Sequence, residues 1–325
     1  MTIKEKILAR LNLRSGELIS GGELARELGV TRNSVWKAIN QLKKEGYNVD
    51  SRSNQGYVLN GNVDILNIDE IESFLPNGAR LAVYENATSS NDIAKELAQN
   101  EAKEGTAIVV KSQTNGRGRM GRSFISKSEN GLYFSFVLRP TIPASEALNI
   151  TVICATALAQ AIEETSGADT KIKWVNDIYI NEKKCAGILT EAQLNFECGT
   201  LDYCVVGVGV NISTPNGGFD KEISDIATSV FENSAPCGYK TKLLCKFFEQ
   251  FFKYYSQIQK KEFMLEYKNR SNIIGKEVDV YVGDKITCGT VLDIDDEARL
   301  VVETENGINA FSSGEARVRK AGVKL

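Results

Sequence analysis

The chain is 325 residues long, with 42% hydrophobic and 25% charged residues, enough for about two or three domains with a sizeable buried core. Residues 1–60 carry ten Lys or Arg and six Asp or Glu, a charge of +4, so the net charge of −3 leaves −7 on the remainder. This asymmetry indicates a small basic nucleic-acid module joined to an acidic globular body. The absence of histidine excludes Ser-His-Asp catalysis, Cys-His catalysis and histidine-bound metals, and we predict no metal site in the protein itself.

The composition also predicts a cytoplasmic protein with no membrane segment. The N-terminus lacks the apolar core of a signal sequence, and no apolar run approaches the ~18 residues of a membrane span. The seven cysteines are odd in number and include no Cys-x-x-Cys pair, so reduced thiols are expected.

The N-terminal region is predicted to form a winged helix-turn-helix. Residues 22–28 form a short helix, residues 29–31 the turn, and residues 32–45 a second helix whose apolar side chains recur at spacings of three and four. A hairpin over residues 47–59, turning at 53–56, would be the wing.

The second of these helices presents a polar face that suits DNA. Its side chains can hydrogen-bond base edges or phosphates, and an arginine on the wing adds a further positive charge. The predicted DNA contacts are Arg32, Asn33, Lys37, Asn40, Lys44 and Arg52. The alternative is a helical oligomerisation module with a solvated basic face, but the order of helix, glycine turn, helix and hairpin favours DNA binding.

From residue 66 onward the pattern is mixed α and β, and then β alone. The predicted elements up to residue 270 are a helix over 90–98, strands over 105–112 and 131–139, a helix over 148–164, a β-hairpin over 172–191 that turns near 181–182, a strand over 201–211 and a long aromatic-rich helix over 239–268. Short strands over 278–282, 289–294, 300–303 and 307–311 follow, which predicts a small barrel of about 50 residues.

The segment from Gln113 to Arg122 combines three glycines with three arginines directly after an apolar strand. The glycines let backbone N–H groups approach a ligand, and the arginines can hold carboxylate or phosphate oxygens. We therefore interpret this segment as a flexible anion clamp. It is not a Walker loop, because the Gly-Lys-Ser/Thr ending is missing.

Four further motifs accompany the clamp. Ser89-Ser90-Asn91 precedes it, Lys173-Trp174-Val175-Asn176-Asp177 and Lys184-Cys185-Ala186-Gly187-Ile188-Leu189 follow it, and Gly207-Val208-Gly209-Val210-Asn211 comes last. In this order the four segments resemble those of the bacterial biotin–protein ligases, and the chain ends resemble the bifunctional ligase–repressor subgroup. The resemblance covers essentially the whole chain. It implies an α+β fold with a winged helix-turn-helix domain over 1–62, a mixed α/β ligase domain over 66–270 and an SH3-like barrel over 271–325.

The resemblance implies a biotin–[biotin carboxyl carrier protein] ligase that uses ATP to make biotinyl-5′-AMP and then transfers biotin to a carrier lysine. A carboxylate needs such activation because it is a poor electrophile, and cations, including Mg²⁺ with ATP, offset the repulsion of the two reacting anions. The implied catalytic residues are Lys184, Arg119 and Asp177; the implied biotin contacts are Ser89, Ser90, Asn91, Gln113, Gly116, Arg117, Gly118, Arg119 and Lys184; and the implied nucleotide contacts are Arg119, Arg122, Phe124, Asn176 and Asn211.

The subgroup resemblance also implies transcriptional repression. The implied partners are operator DNA, the carrier domain of a biotin-dependent carboxylase, and a second copy of the chain in a homodimer that forms on adenylate binding. Two other functions stay open, namely lipoate–protein ligation, which shares the adenylation chemistry, and a biotin-sensing transcription factor without catalysis.

The chain departs from the family pattern at three positions. Val175 replaces a proline, which removes the φ restraint and restores an N–H donor. Ser90 replaces threonine and keeps the hydroxyl. Phe124 stands where a tryptophan often stacks on adenine, and it can still stack with a smaller ring.

Several of the candidate residues also have purely structural interpretations. Lys184 could be a solvated hairpin lysine and Asp177 a turn residue. Asn211 could cap a strand end. Gly207 and Gly209 are expected to relieve crowding around the site rather than to contact substrate.

Overall fold

The structure is a computed structural model that describes residues 2–14, 16–44, 47–52, 55–60, 66–126, 130–195 and 197–319. Two compact units are present. The first combines residues 1–67 with 234–241, and the second combines residues 68–233 with 242–325.

The described residues of the first unit form three helices and a two-stranded hairpin. They are α1 (Ile3–Leu13), α2 (Gly21–Leu28), α3 (Arg32–Lys44), β1 (Val49–Arg52) and β2 (Gly56–Leu59), with β1 and β2 antiparallel. Ser20 caps α2 by accepting from the Glu23 N–H, and Gly29 ends it with a φ of 64°. The two predicted helices and the wing strands are confirmed, whereas α1 was not predicted. Residues 45, 53 and 54 of the predicted helix end and wing turn lie outside the described residues.

The apolar faces of the three helices meet in the core of the first unit. Ile7, Leu11, Leu24, Val35, Ile39 and Leu42 are buried in it. On the opposite face of α3, Arg32, Asn33, Lys37 and Lys44 are exposed, Asn40 is half-buried, and Arg52 is exposed on β1. The predicted DNA contacts are therefore accessible except for part of Asn40.

The second unit is built on a seven-stranded sheet. Its strands are β3 (Leu81–Ala87), β4 (Ala107–Gln113), β5 (Gly131–Leu138), β6 (Lys171–Lys173), β7 (Asp177–Ile180), β8 (Lys183–Asn195) and β9 (Thr200–Asn211), in the order β3-β4-β5-β9-β8-β7-β6. The pair β3–β4 is parallel and the other pairs are antiparallel. The predicted turn near Asn181-Glu182 is confirmed, but the predicted hairpin was wrong in one respect, because residues 174–176 interrupt its first arm and create β6 and β7.

The helices of the second unit are α4 (Ile68–Glu72), α5 (Ser90–Gln99), α6 (Ala147–Ser166), α7 (Tyr239–Tyr255), which begins in the first unit, and α8 (Glu262–Asn269). Buried phenylalanines pack β5 against α7, with Phe136 and Phe251 ring centroids 4.9 Å apart. The prediction of one long helix over 239–268 was wrong. A 3₁₀ turn at Ile258–Lys260 and a left-handed Lys261, with a φ of 55°, separate α7 from α8.

The C-terminal region forms a five-stranded antiparallel sheet. Its strands are β10 (Glu277–Val282), β11 (Lys285–Ile294), β12 (Leu300–Thr304), β13 (Gly307–Phe311) and β14 (Glu315–Val318), in the order β13-β12-β11-β10-β14. Four of these strands were predicted, and β14 was not. Burial alternates along β10 and at the start of β12, and Val278, Val280 and Leu300 are buried there; Val291 of β11 is buried as well.

One helix of the described chain is long and apolar enough to cross a membrane by length and composition. It covers Ala144–Ser166, that is, a short 3₁₀ turn followed by α6. Within the fold, 72% of its most apolar window is buried, as expected of a core helix packed on a sheet.

Candidate active site

A cavity of about 50 Å³ that opens to solvent lies at the start of α5, the end of β4 and the middle of β8 and β9. The predicted residues that line it are Ser89, Ser90, Asn91, Gln113, Arg117, Gly118, Arg119, Phe124, Asn176 and Lys184. The motifs therefore meet in space although up to about a hundred residues separate them in sequence. Gly116, Arg122, Asp177 and Asn211 are not among the lining residues.

One end of the cavity is a buried network of neutral polar groups. The Gln113 Oε1 accepts from the Ser90 N–H at 2.7 Å, and the Gln113 Nε2 donates to the Ser126 hydroxyl at 3.0 Å. The Ser135 hydroxyl lies 2.7 Å from the Ser90 hydroxyl and 2.6 Å from the Asn91 Oδ1. These groups fix one another's orientation, so this end offers preformed donors and acceptors to a neutral polar ligand.

Glycines on β9 let the sheet approach this network closely. A Cβ at Gly207 would overlap the Asn91 amide, and a Cβ at Gly209 would lie 2.5 Å from the Phe124 ring. The crowding that these two glycines were expected to relieve is therefore present, whereas their lack of substrate contact stays a prediction.

The other end of the cavity is charged. The Lys184 Nζ lies 2.7 Å from the Asp177 Oδ1. These residues lie on the paired strands β8 and β7, where Asp177 is opposite Gly187 and Lys184 is opposite Tyr179. The Arg119 guanidinium donates to the Asn176 Oδ1 at 3.0 Å, and the Asn176 Nδ2 donates to the Ile188 carbonyl at 2.9 Å. Burial lowers the pKa of Arg119, and the charge of Asp177 opposes this shift. Lys184 and the half-buried Arg119 therefore place two positive charges at this end of the cavity, where they could bind an anion.

The glycine-rich segment folds back on itself at the mouth of the cavity. The Gly118 N–H donates to the Arg122 carbonyl at 2.7 Å, and the Phe124 N–H donates to the Gly116 carbonyl at 2.8 Å. Gly116 leaves no room for a side chain, since a Cβ there would overlap the Phe124 carbonyl. The segment is thus a compact loop, and Gly116 shapes it.

Arg122 points to the C-terminal sheet rather than into the cavity. Its guanidinium donates to both Glu315 carboxylate oxygens, at 3.1 and 2.5 Å, and Arg317 donates to the same carboxylate at 3.2 Å. The hydrogen bond from Arg122 is the main reason that the pKa of Glu315 falls to about 2. An arginine expected to bind nucleotide is therefore already paired in this structure.

The remaining predicted residues have mainly local contacts. The Asn211 Nδ2 donates to the Thr228 carbonyl at 3.0 Å, which matches the alternative role of Asn211 at a strand end. Phe124 lies inside the cavity, edge-on to Tyr133 at a centroid distance of 6.3 Å. The Trp174–Val175 peptide is cis, and Val175 is buried with its carbonyl accepting from the Tyr267 hydroxyl at 3.0 Å.

Three residues that the sequence did not single out belong to this arrangement. Ser135 is a polar residue within an apolar strand, and this contrast could have identified it as a site residue. Glu191 lies two residues after the Lys184–Leu189 motif, and this position could have identified it. The Glu191 carboxylate accepts from the Asn91 Nδ2 at 2.9 Å and lies 2.5 Å from the Lys95 Nζ. Glu315 gave no sequence signal, because its role arises only from the pairing of distant elements.

Comparisons with known proteins agree with this arrangement. The family models that match are an HTH domain over residues 4–58, the Biotin/lipoate A/B protein ligase family over residues 83–211 and the Biotin protein ligase C terminal domain over residues 273–319. The fold and the site thus define a biotin/lipoate-type protein ligase with an N-terminal helix-turn-helix domain.

Individual relatives narrow the assignment. The chain is 35% identical to the bifunctional ligase/repressor BirA of Bacillus subtilis, over 97% of this chain and 98% of the relative, and 26% identical to that of Escherichia coli, over 98% of both. A biotin protein ligase from Aquifex aeolicus, solved with biotin and ATP, is 28% identical with a TM-score of 0.61, over 74% of this chain and 99% of that structure. The chain belongs to the family of bifunctional biotin ligase/repressors. The predicted family, fold class and enzyme class are confirmed.

Proposed function

We propose that the chain ligates biotin to a carrier protein at the expense of ATP and represses transcription in response to biotin. The observation that supports the ligase activity best is the division of one cavity into a neutral polar end and a cationic end. Biotin has the same division, with a neutral ureido ring at one end and a carboxylate at the other. ATP would meet the carboxylate at the cationic end.

The chemistry takes two steps. A biotin carboxylate oxygen attacks the α-phosphorus of ATP, the bond to the bridging oxygen breaks, and pyrophosphate leaves. The carrier lysine amine then attacks the acyl carbon, AMP leaves, and the amine loses a proton. Lys184 and Arg119 would offset the negative charge that accumulates in the first step. Asp177, paired with Lys184 at 2.7 Å, would position that lysine and exchange partners when the anions arrive.

The neutral end would orient the ring of biotin. Ser89, Ser90, Asn91 and Gln113 would supply hydrogen-bond donors and acceptors to the ureido group, supported by the backbone of the loop at Gly116 to Arg119. Phe124 would stack on the adenine after moving from its present place, and Arg122, Asn176 and Asn211 would contact the nucleotide.

Mg²⁺ would accompany the triphosphate. Among the described residues no group of three or more His, Cys, Asp or Glu side chains could hold a metal ion. The phosphate oxygens and water would therefore provide most of its ligands, as is usual for Mg²⁺ bound with a nucleotide.

The deciding experiment for the ligase activity is transfer of labelled biotin to a purified carrier domain. We expect ATP-dependent transfer to one carrier lysine and no transfer of lipoate under the same conditions. Biotin-dependent pyrophosphate exchange without transfer would contradict the ligase function. Binding without any exchange would favour the non-catalytic sensor, and exchange with lipoate alone would favour a lipoate ligase.

The helix-turn-helix of the first unit supports the repressor function. The α3 helix carries four exposed cationic side chains and no acidic residue, so it is complementary to a phosphate backbone. Half-site recognition on a palindromic operator requires two copies, and we propose a homodimer that forms once the adenylate orders the loop. We further propose domain boundaries at 1–62, 66–270 and 271–325, and a cytoplasmic location.

Repression is tested by operator binding and by sedimentation with and without biotin and ATP. We expect the dimer and tight DNA binding only when both ligands are present, with affinity that falls steeply as salt rises. Removing residues 1–62 should abolish DNA binding and spare part of the ligase activity. Equal operator binding without ligands would contradict the biotin response.

A further inference from the structure

The side chain of Arg117 lies between two carboxylates. Its Nη1 is 3.3 Å from the Asp92 Oδ1 and 3.6 Å from the Glu191 Oε1. Asp92 belongs to α5 and Glu191 to β8, so one arginine of the loop contacts both elements that support it. Its charge is therefore compensated directly by two carboxylates, whereas the Arg119 guanidinium donates to the neutral Asn176 amide.

Glu191 has a second set of contacts that reaches the biotin end of the cavity. Its Oε2 accepts from the Asn91 Nδ2 at 2.9 Å, while Lys95, one helical turn further along α5, lies 2.5 Å from its Oε1. Burial alone would raise the pKa of Glu191, but the hydrogen bonds from Asn91 and Lys95 and the charges of Lys95 and Arg117 outweigh it and lower the pKa. Glu191 is therefore a stable anion at neutral pH.

Asn91 has no freedom to turn away from this carboxylate. Its side chain is buried, its Oδ1 lies 2.6 Å from the Ser135 hydroxyl, and the bare backbone of Gly207 faces it. The amide oxygen thus accepts a hydrogen bond from Ser135, and the amide nitrogen donates one to Glu191. Loss of that acceptor would leave a buried N–H group unpaired and would let the amide reorient.

We propose that Glu191 is a positioning residue that links the biotin pocket to the glycine-rich loop, and that the Arg117 side chain is the latch of this loop rather than a ligand of biotin. One carboxylate oxygen orients Asn91, and the other, together with Asp92, holds Arg117. The loop is thereby held against α5 and β8 when the adenylate lies beneath it. This inference rests on the proposed ligase activity and assigns to Arg117 a role different from the one that the family resemblance implied.

Variants at position 191 separate the two links. Glu191→Gln keeps an acceptor for Asn91 but removes the charge that holds Arg117. We expect the rate of biotinyl-AMP release to rise about fivefold, because this factor corresponds to the loss of a partly exposed ion pair. The KM for biotin should stay nearly unchanged. Glu191→Leu removes both links, so the KM for biotin should rise as well. Glu85→Gln, which changes an exposed ion pair with Lys111, is the matched control and should alter neither quantity.

A double-variant cycle with Arg117→Met tests the latch directly, using release of radiolabelled biotinyl-AMP from the full chain. If Arg117 acts through Asp92 and Glu191, adding Glu191→Gln to an Arg117→Met background should raise the release rate no further. If Arg117 binds the ligand itself, the effects should multiply to about twentyfold or more, which would overturn the inference. An unchanged release rate in Arg117→Met would overturn it too.

The outcome for the wild type separates this inference from the function on which it rests. A wild-type chain that forms no biotinyl-AMP would overturn the proposed function. Normal formation with additive variants would overturn only the latch. Circular dichroism melts of each variant identify folding defects. Asp92→Asn, which removes a charge beside Arg117 and leaves the hydrogen bonds of the Asn91 amide to Glu191 and Ser135 in place, gives a second variant that should speed release without raising the KM for biotin.

Discussion

The two ends of the candidate cavity are organised by different kinds of contact. At the neutral end, Ser90, Gln113 and Ser135 are buried and hydrogen-bonded to one another. At the charged end, Lys184 and Arg119 are partly accessible and their partners are other side chains of the same protein. The first arrangement is complete before a ligand arrives. The second must exchange its partners for ligand anions.

This difference indicates how the site distributes its tasks. A buried neutral network holds its geometry because each lost hydrogen bond would leave an unpaired buried group, which costs about 1–3 kcal/mol. A partly exposed ion pair is worth about 1 kcal/mol or less, so a triphosphate can displace it. We therefore expect the neutral end to select the ligand by its pattern of hydrogen-bonding groups, and the charged end to rearrange when the ligand binds.

The largest effect is expected from Lys184→Ala, which breaks the charged end. Without the ammonium, charge at the α-phosphate is not offset, and biotin-dependent pyrophosphate exchange should fall about 10²- to 10³-fold. Lys183→Ala is the matched control, because the Lys183 Nζ donates to the Ser224 carbonyl on the surface at 3.0 Å. Near-normal exchange in Lys184→Ala would show that this lysine belongs to the hairpin and not to the chemistry.

The neutral end should be broken by Gly207→Ala. The new Cβ would overlap the Asn91 amide, and overpacking of about 1–3 kcal/mol should weaken biotin binding about 10- to 100-fold in calorimetry. Combining it with Asn91→Ala removes the overlap and should recover part of the affinity relative to Gly207→Ala alone. A double variant weaker than both single variants would contradict the steric explanation.

A smaller effect, specific to retention, is expected from Arg119→Gly. The variant loses a charged donor while Lys184 still serves adenylation, so release of biotinyl-AMP should rise about tenfold. Released adenylate would label exposed lysines of added albumin, which a streptavidin blot detects. Loss of exchange without any increase in stray labelling would mean that Arg119 serves synthesis rather than retention.

The sequence predicted the charged and neutral groups but not their pairing. Local periodicity was sufficient for α2, α3, α5 and α6, because the apolar faces of these helices recur regularly. Periodicity was insufficient for the break between α7 and α8. Lys261 adopts a left-handed conformation there, and the residue is not a glycine, which would have indicated such a break. Periodicity was equally insufficient for β6, a strand of three residues.

The candidate site shows the same limit. Four of the motifs contain nine of the predicted residues that line the cavity, since chemistry dictates their types, and the family resemblance identified Phe124 as the tenth. The contacts of Arg122 with Glu315 and of Arg117 with Asp92 and Glu191 depend on register between distant elements. A single sequence carries no local signal for such pairs, so arginines that it marked as ligands are paired with carboxylates of the chain itself.

The smallest effect, on the free energy of unfolding, is expected from Glu315→Gln. This change weakens the ion pair with Arg122, which lies outside the neutral end of the cavity, and so tests how little a partly exposed ion pair contributes. Glu315 has a pKa of about 2 in the folded chain against an ordinary value of 4.5, chiefly because Arg122 donates to it. A depressed folded pKa contributes stability that is complete above the unfolded value and is lost as the pH falls through 4.5 toward 2. The pair is partly exposed, so solvent screening limits the contribution to about 1 kcal/mol or less. Urea unfolding should therefore show wild type more stable than Glu315→Gln at pH 7, with the difference shrinking below pH 4.5. A difference that stays constant down to pH 3 would mean that lost packing, and not the charge, destabilises the variant.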